Sequence, residues 1–255
     1  MDGIASLQVA RLGVVDYAAA LELQNALVAA RIRDEIGDTL LLLEHPHVYT
    51  LGRGADASYV TNRPDDVPIH RVSRGGQVTY HGPGQLVGYP IVKLPGVRRD
   101  VSRYLRNLER ALIDALREFG IDGARREGMT GVWAGPRKIA SIGVGIRRWV
   151  TLHGFALNVA TDLSYFDAII PCGIEGCRMT SVAEVANRQV TVSEFADTFT
   201  RTFANTFEYN RVTAVSPHHV WGALEATGDG HEGFREGIEA PEDFSQAAGL
   251  RVDRR

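Results

Sequence analysis

The sequence predicts an α/β domain with mixed sheets, its strands falling before, between and after the helices and not in a strict βαβ series. Three observations carry this. Segments opening at Asp16 and Asp100 hold apolar residues at helical spacing, several others alternate or run apolar over strand length, and 255 residues at 44% hydrophobic content can bury one substantial core.

Leu7 to Leu12 alternates apolar and polar with the period of a strand. Asp16 caps a helix whose apolar face is Tyr17, Ala20, Leu21, Leu27, Val28 and Ile32, with Gly37-Asp38 closing the segment. Thr39 to Glu44 reads as a buried strand and Val48 to Leu51 as a short one. Ile69 to Val72 is strand-like, and Arg74 to Gln85 is dense in glycine and reads as tight turns. Leu86 to Val92 is a strand in which Pro90 argues for an edge or a bulge. From Asp100, the positions Val101, Tyr104, Leu105, Leu108, Leu112, Leu116 and Phe119 form a helical stripe that Gly120 stops. Gly131 to Trp133, Lys138 to Ile146 and Thr151 to Val159 follow as strands. Thr191 and Glu194 have capping-box spacing, and Phe195, Phe199, Phe203 and Phe207 make an aromatic core stripe on the helix behind them. Residues 1–221 therefore read as the folded domain. Residues 222–255, with eight acidic and four basic side chains and no apolar period, read as a poorly ordered tail.

Composition excludes several functions. With 28 basic and 31 acidic residues the net charge is −3 and no basic stripe exists, which argues against nucleic acid as the partner. No apolar run approaches the roughly 18–20 residues of a membrane span, and Met1-Asp2-Gly3-Ile4 does not open like a secretion signal, so a cytoplasmic location is expected. No phosphate loop and no GxGxxG on a strand-to-helix turn is present, and no cofactor is expected. His45-Pro46-His47 lacks a third ligand nearby, and no metal is expected. Two cysteines are too few for a disulfide scaffold.

Chemistry then rests on few residues. Cys172 lies in Ile170-Pro171-Cys172-Gly173, which suits a nucleophile on a turn and equally a buried, inert thiol. Cys177, five residues on, reads as a bystander or redox partner. Lys138, at the entrance of an apolar strand, is either a solvated side chain or the cation that favours a thiolate. Arg74, Gln77, Thr79, Tyr80 and His81, interleaved with glycines, either line a narrow slot or simply decorate two turns; His153-Gly154-Phe155 repeats the pattern.

The phrases Leu41 to Pro46, Arg74-Gly75-Gly76-Gln77-Val78-Thr79-Tyr80-His81-Gly82-Pro83-Gly84-Gln85-Leu86, Arg137 to Gly143, Leu152 to Asn158 and Pro171 to Ile174 occur in the order seen in the lipoyl(octanoyl) transferase family, and the chain resembles that family from about Leu7 to Phe207. The resemblance implies the catalytic fold of biotin and lipoate protein ligases. It also implies an octanoyl-[acyl-carrier-protein]:protein N-octanoyltransferase of lipoate biosynthesis, working through an acyl-cysteine thioester. By the same resemblance Cys172 is the nucleophile and Lys138 lowers its pKa. Substrate contacts fall on Arg74, Gly75, Gly76, Gln77, Val78, Thr79, Tyr80 and His81, on Ser141, Ile142 and Gly143, and on Gly154, Phe155 and Ala156. The implied donor is octanoyl-acyl carrier protein. The acceptors are lipoyl domains of 2-oxoacid dehydrogenases and the glycine cleavage H protein. A monomer is expected, because no heptad or large apolar stripe is left over. The rival readings are an ATP-dependent ligase of the same fold, which needs no cysteine, and a cysteine thioester hydrolase, which would release the free acid.

Overall fold

The chain order is β1 (Ser6–Val14), α1 (Tyr17–Ile32), β2 (Asp38–Glu44), β3 (Val48–Leu51), β4 (Ile69–Arg71), β5 (Val78–His81), β6 (Gln85–Ile91), α2 (Val101–Glu118), β7 (Gly123–Arg126), β8 (Met129–Ala134), β9 (Arg137–Arg147), β10 (Val150–Asn158), α3 (Val182–Ala186), α4 (Val192–Thr206), β11 (Arg211–Val215) and α5 (Pro217–Glu225). This computed structural model describes residues 5–94, 96, 99–173 and 176–225, with Cys172 and residues 223–225 described by backbone alone. α5 crosses the boundary expected at residue 221, and residues 226–255 of the expected tail lie outside the described residues.

Eight strands form one mixed sheet in the order β11-β1-β2-β6-β10-β9-β8-β7. β11, β1 and β2 run parallel, and every pairing from β2 to β7 is antiparallel. The leucine run of β2 shows why the sheet is covered on both faces. Leu40 and Leu42 enter one core with α2 and α4, while Leu41 and Leu43 enter the other with α1. Phe155 and Leu157 of β10 join the first core and Leu152 and Ala156 the second. The expected aromatic stripe is core: Phe195, Phe199 and Phe203 are fully buried, and Phe199 packs 4.4 Å from Phe155, ring centre to ring centre. The caps are as expected too, with Asp16, Asp100 and Thr191 each accepting a backbone N–H of the first turn.

A smaller sheet, β4-β3-β5, stands over the large one. Its third strand lies inside the glycine-rich stretch expected to be turns: Val78 to His81 pairs antiparallel with β3. β7, α3 and β11 also go beyond the expected elements. Pro90 is not at an edge, since β6 is flanked by β2 and β10. Its missing N–H falls where the β6–β10 ladder opens between the Gly88–Phe155 pair and Val92. There the Thr151 hydroxyl donates to Pro90 O at 2.6 Å, and His153 adopts a left-handed φ of 56°.

Candidate active site

A cavity of about 410 Å³ lies between β9 and β10 of the large sheet and the segment Arg74 to His81 that crosses over them. The glycine at 143 permits this crossing. A Cβ there would stand 2.9 Å from Gly75 O, and the Gly75 N–H donates to Val144 O at 2.9 Å. Of the residues expected to contact substrate, Arg74, Gly76, Gln77, Val78, Thr79, His81, Ser141, Ile142, Gly143, Gly154, Phe155 and Ala156 all line this space, as does Lys138. Gly75 contributes the backbone contact just described. Tyr80 does not line the cavity. The pleat of β5 turns it into a separate core, where its ring stacks 4.9 Å from Tyr165 and its hydroxyl bonds His47 Nδ1 at 2.7 Å.

Lys138 is 1% exposed, not the solvated side chain that one reading of the sequence allowed. A bulge directs it. The β8–β9 register slips between Val132–Ala140 and Trp133–Lys138, so Ile139 is an extra residue. Simple alternation would have put Lys138 on the face of Ala140, in the α2/α4 core. Instead its Nζ donates to Thr130 O at 3.2 Å and sits 4.9 Å over the Trp133 ring, a cation–π contact. Gly131 leaves the room. With φ at 137°, a Cβ there would meet Ala140 O at 2.6 Å and Lys138 Cε at 2.7 Å.

Cys172 lies in the short 3-10 turn Pro171–Gly173. The turn is tied on one side to the small-sheet region: Ile170 N–H donates to Tyr59 O at 2.8 Å, and a Cβ on Gly173 would come within 3.1 Å of Gln77 Cγ. After the turn the chain returns to Lys138 itself. Lys138 N–H donates to Arg178 O at 2.8 Å and Thr180 N–H donates to Lys138 O at 2.9 Å. The segment around Cys172 is thus bonded to Tyr59 before the turn and to the strand that carries the lysine after it. Half-buried Cys177 lies outside, on an open groove of about 730 Å³ shared with Pro171 and Arg137.

A buried polar chain braces the cavity from behind. His81 Nδ1 donates to Gln85 Oε1 at 2.8 Å, Gln85 Nε2 donates to Asn158 Oδ1 at 3.0 Å, and Asn158 Nδ2 donates to Thr180 O at 3.0 Å. Thr180 then reaches Lys138 through its N–H. Burial holds His81 neutral, its pKa well below the usual histidine value, with His45 and the Arg74 guanidinium adding to the effect. His153, which lines the same cavity, is pushed down to about 4 by burial and by Arg74. The Arg74 guanidinium itself is fixed by Thr50 O and Thr50 Oγ1, each at 2.8 Å. His45 bonds Val15 O and Tyr89 Oη with its two ring nitrogens, and among the described residues no His, Cys, Asp and Glu cluster suits a metal ion. Sequence reasoning passed over Tyr17, Tyr89, Met129 and Thr130, which also line the cavity. Their only signal is an apolar or small side chain on an element that folding brings there.

The cavity is an apolar-and-amide slot with a buried ammonium, and the cysteine-bearing segment is bonded to the strand that carries that ammonium. Comparison with known proteins agrees on the family. The model of the lipoyl protein ligase A/B catalytic domain matches residues 16–204. An octanoyltransferase of Solibacter usitatus is 49% identical over 211 residues, covering 81% of this chain and 95% of that protein. One of Syntrophotalea carbinolica is 50% identical over 189 residues, covering 74% and 88%. Among solved structures, a bi-partite lipoate protein ligase of Thermoplasma acidophilum shares the fold, with a TM-score of 0.65 at 18% identity over 88% of this chain and 92% of that one. The chain belongs to the lipoyl protein ligase A/B catalytic domain family.

Proposed function

We propose that the protein is an octanoyltransferase of lipoate biosynthesis, moving an octanoyl group from an acyl carrier protein to a lysine of lipoyl domains by way of an acyl-Cys172 thioester. The relatives at about half identity carry the name octanoyltransferase. The observation that carries the reading is that the segment bearing Cys172 is bonded to Tyr59 at Ile170, just before the Pro171–Gly173 turn, and to the backbone of the buried Lys138 at Arg178 and Thr180, after it. Cys172 as thiolate attacks the carbonyl carbon of the octanoyl thioester. A new C–S bond forms, the bond to the carrier sulfur breaks, and that sulfur leaves as a thiolate that takes up a proton. The acceptor amine then attacks the acyl-Cys172 carbonyl, the C–S bond breaks, and an amide forms as the amine gives up a proton. Thioester exchange is nearly balanced, so ATP has no part, and amide formation draws the sequence forward.

Lys138 supplies the positive charge that favours the Cys172 thiolate. Gly76, Gln77, Ser141, Ile142, Gly143, Gly154, Phe155 and Ala156 receive the acyl chain in the cavity they line. Seven buried carbons at about 0.8 kcal/mol each contribute on the order of 5 kcal/mol before ordering costs. In this reading the catalytic unit runs through α5, a monomer acting in the cytoplasm, with the chain beyond Glu225 as an appended tail. Among the described residues no helix is long and apolar enough to cross a membrane.

Mass spectrometry after incubation with octanoyl carrier protein tests this. The expected result is an octanoyl adduct on Cys172, absent in Cys172→Ala and formed without ATP. In Lys138→Ala the adduct should form far more slowly at neutral pH while the thermal unfolding midpoint is kept. An adduct confined to Cys177 overturns the assignment. A strict ATP requirement points to a ligase, and release of free octanoate without amide product to a hydrolase.

A further inference from the structure

Behind Lys138 one peptide unit is gripped from both ends by ionisable side chains. Its carbonyl, on Thr130, accepts from Lys138 Nζ at 3.2 Å, and its N–H, on Gly131, donates to Glu109 Oε1 at 3.1 Å. Glu109 sits in α2 and is 0% exposed. Its other oxygen, Oε2, accepts from Arg106 at 2.6 Å and from Arg125 Nε at 2.9 Å. Arg125 in turn donates to Arg106 O at 2.8 Å. Both carboxylate oxygens are therefore committed, and the side chain has one orientation.

A buried carboxylate is tolerated only where hydrogen bonds and opposite charge compensate it. Here the compensation leaves Oε1 for the Gly131 N–H. A negative acceptor on the N–H end of an amide draws electron density toward the carbonyl end, because linked hydrogen bonds polarise one another. Thr130 O thus becomes a stronger partner for an ammonium. The bond also fixes the plane of the peptide, and with it the direction of that carbonyl. Glu109 lies too deep for water to screen it, whereas the side chains of Arg106 and Arg125 are 48% and 40% exposed. Among the described residues, Arg126 lies over the same Trp133 ring with its guanidinium 5.5 Å from the ring centre, Arg74 lines the same cavity as Lys138, and the neighbouring Arg137 pairs with Glu184.

We propose that Glu109 is a positioning residue for Lys138, acting through the Thr130–Gly131 peptide, with Arg106 and Arg125 setting how strongly it acts. Its relevance to catalysis rests on the role proposed for Lys138, but the grip itself is measurable without any substrate. The sequence holds only two lysines, Lys93 and Lys138. In the full chain grown with 13Cε-lysine, two side-chain signals result, and Lys93→Arg assigns them. At fixed neutral pH the Lys138 13Cε signal is expected to move toward its unfolded-chain position in Glu109→Gln, where the amide oxygen still accepts from Gly131 but the charge is gone. It is expected to move the opposite way in Arg125→Gln, which frees the carboxylate of one counter-charge. A Lys138 signal that stays put in folded Glu109→Gln overturns the proposal. Should that variant lose its thermal transition, Arg125→Gln decides alone, a moved signal supporting the grip and an unmoved one overturning it. The kcat of octanoyl transfer should fall in Glu109→Gln with KM unchanged. A signal that moves while kcat stays put upholds the grip but removes Lys138 from the reaction.

Discussion

Tyr80 shows how one step along a strand separates two roles. Thr79 and His81 line the cavity, while Tyr80, in the same glycine-rich phrase, is buried on the other side against Tyr165, Phe166 and His47. Burial, with Tyr165, Tyr49 and Asp162 nearby, raises the pKa of its hydroxyl far above the usual tyrosine value, so that it stays protonated as a donor or acceptor for His47. Tyr80→Phe is therefore expected to cost about 1 kcal/mol of stability from the lost hydrogen bond, with the KM for octanoyl carrier protein unchanged. Denaturant unfolding and steady-state kinetics check this, and a raised KM would return Tyr80 to the substrate site. Lys138 was legible as an unusual lysine at a strand entrance; its burial was not, because the bulge that turns it inward depends on the register with β8. Glu109 was illegible for a related reason. A charged residue in a helix reads as solvated surface, and the arginine that completes its pairing comes from β7, sixteen residues away.

At the scale of elements, α4 matters because its stripe backs the cavity wall. Phe199 is fully buried and packs on Phe155, whose ring lies where a Cβ on Gly88 would stand 2.1 Å from it. Phe199→Ala is expected to destabilise the protein by about 3–5 kcal/mol and to loosen the β6–β10 contact beneath the cavity. Urea unfolding measures the first effect. A relaxed preference between octanoyl and decanoyl donors measures the second, and unchanged chain-length preference would show that the wall holds without that ring. Long amphipathic helices and apolar strands such as β2 were readable because their periodicity is local. β7 and β11 were not, being short, polar edge strands whose partners supply the order. β5 was hidden by its glycine-rich neighbours, and Pro90 misled because a side-chain hydroxyl on the adjoining strand answers for the opened ladder.

For the molecule as a whole, buried histidines tie the fold to pH. His45 and His153 are both held down to about 4, chiefly by burial, so each is neutral when folded and protonates readily when unfolded. Their contribution is complete above the unfolded value near 6.5 and is lost as pH falls through about 4, amounting to about 3 kcal/mol per histidine. Thermal melts at pH values between about 7.5 and 4 should show the midpoint falling steeply below about 6.5, and His45→Gln should flatten that fall. A flat profile in the unaltered protein would contradict the burial of these rings. The arrangement of the large sheet has a further outcome during synthesis. Leu7 of β1 pairs with Asp38 of β2 but finds its second neighbour only at Val212. At roughly 5–20 residues per second, the leading strand of the nascent polypeptide waits on the order of ten seconds or more with one flank unpaired. That bare flank is what a ribosome-associated chaperone would meet, and it closes only as the last strand leaves the exit tunnel.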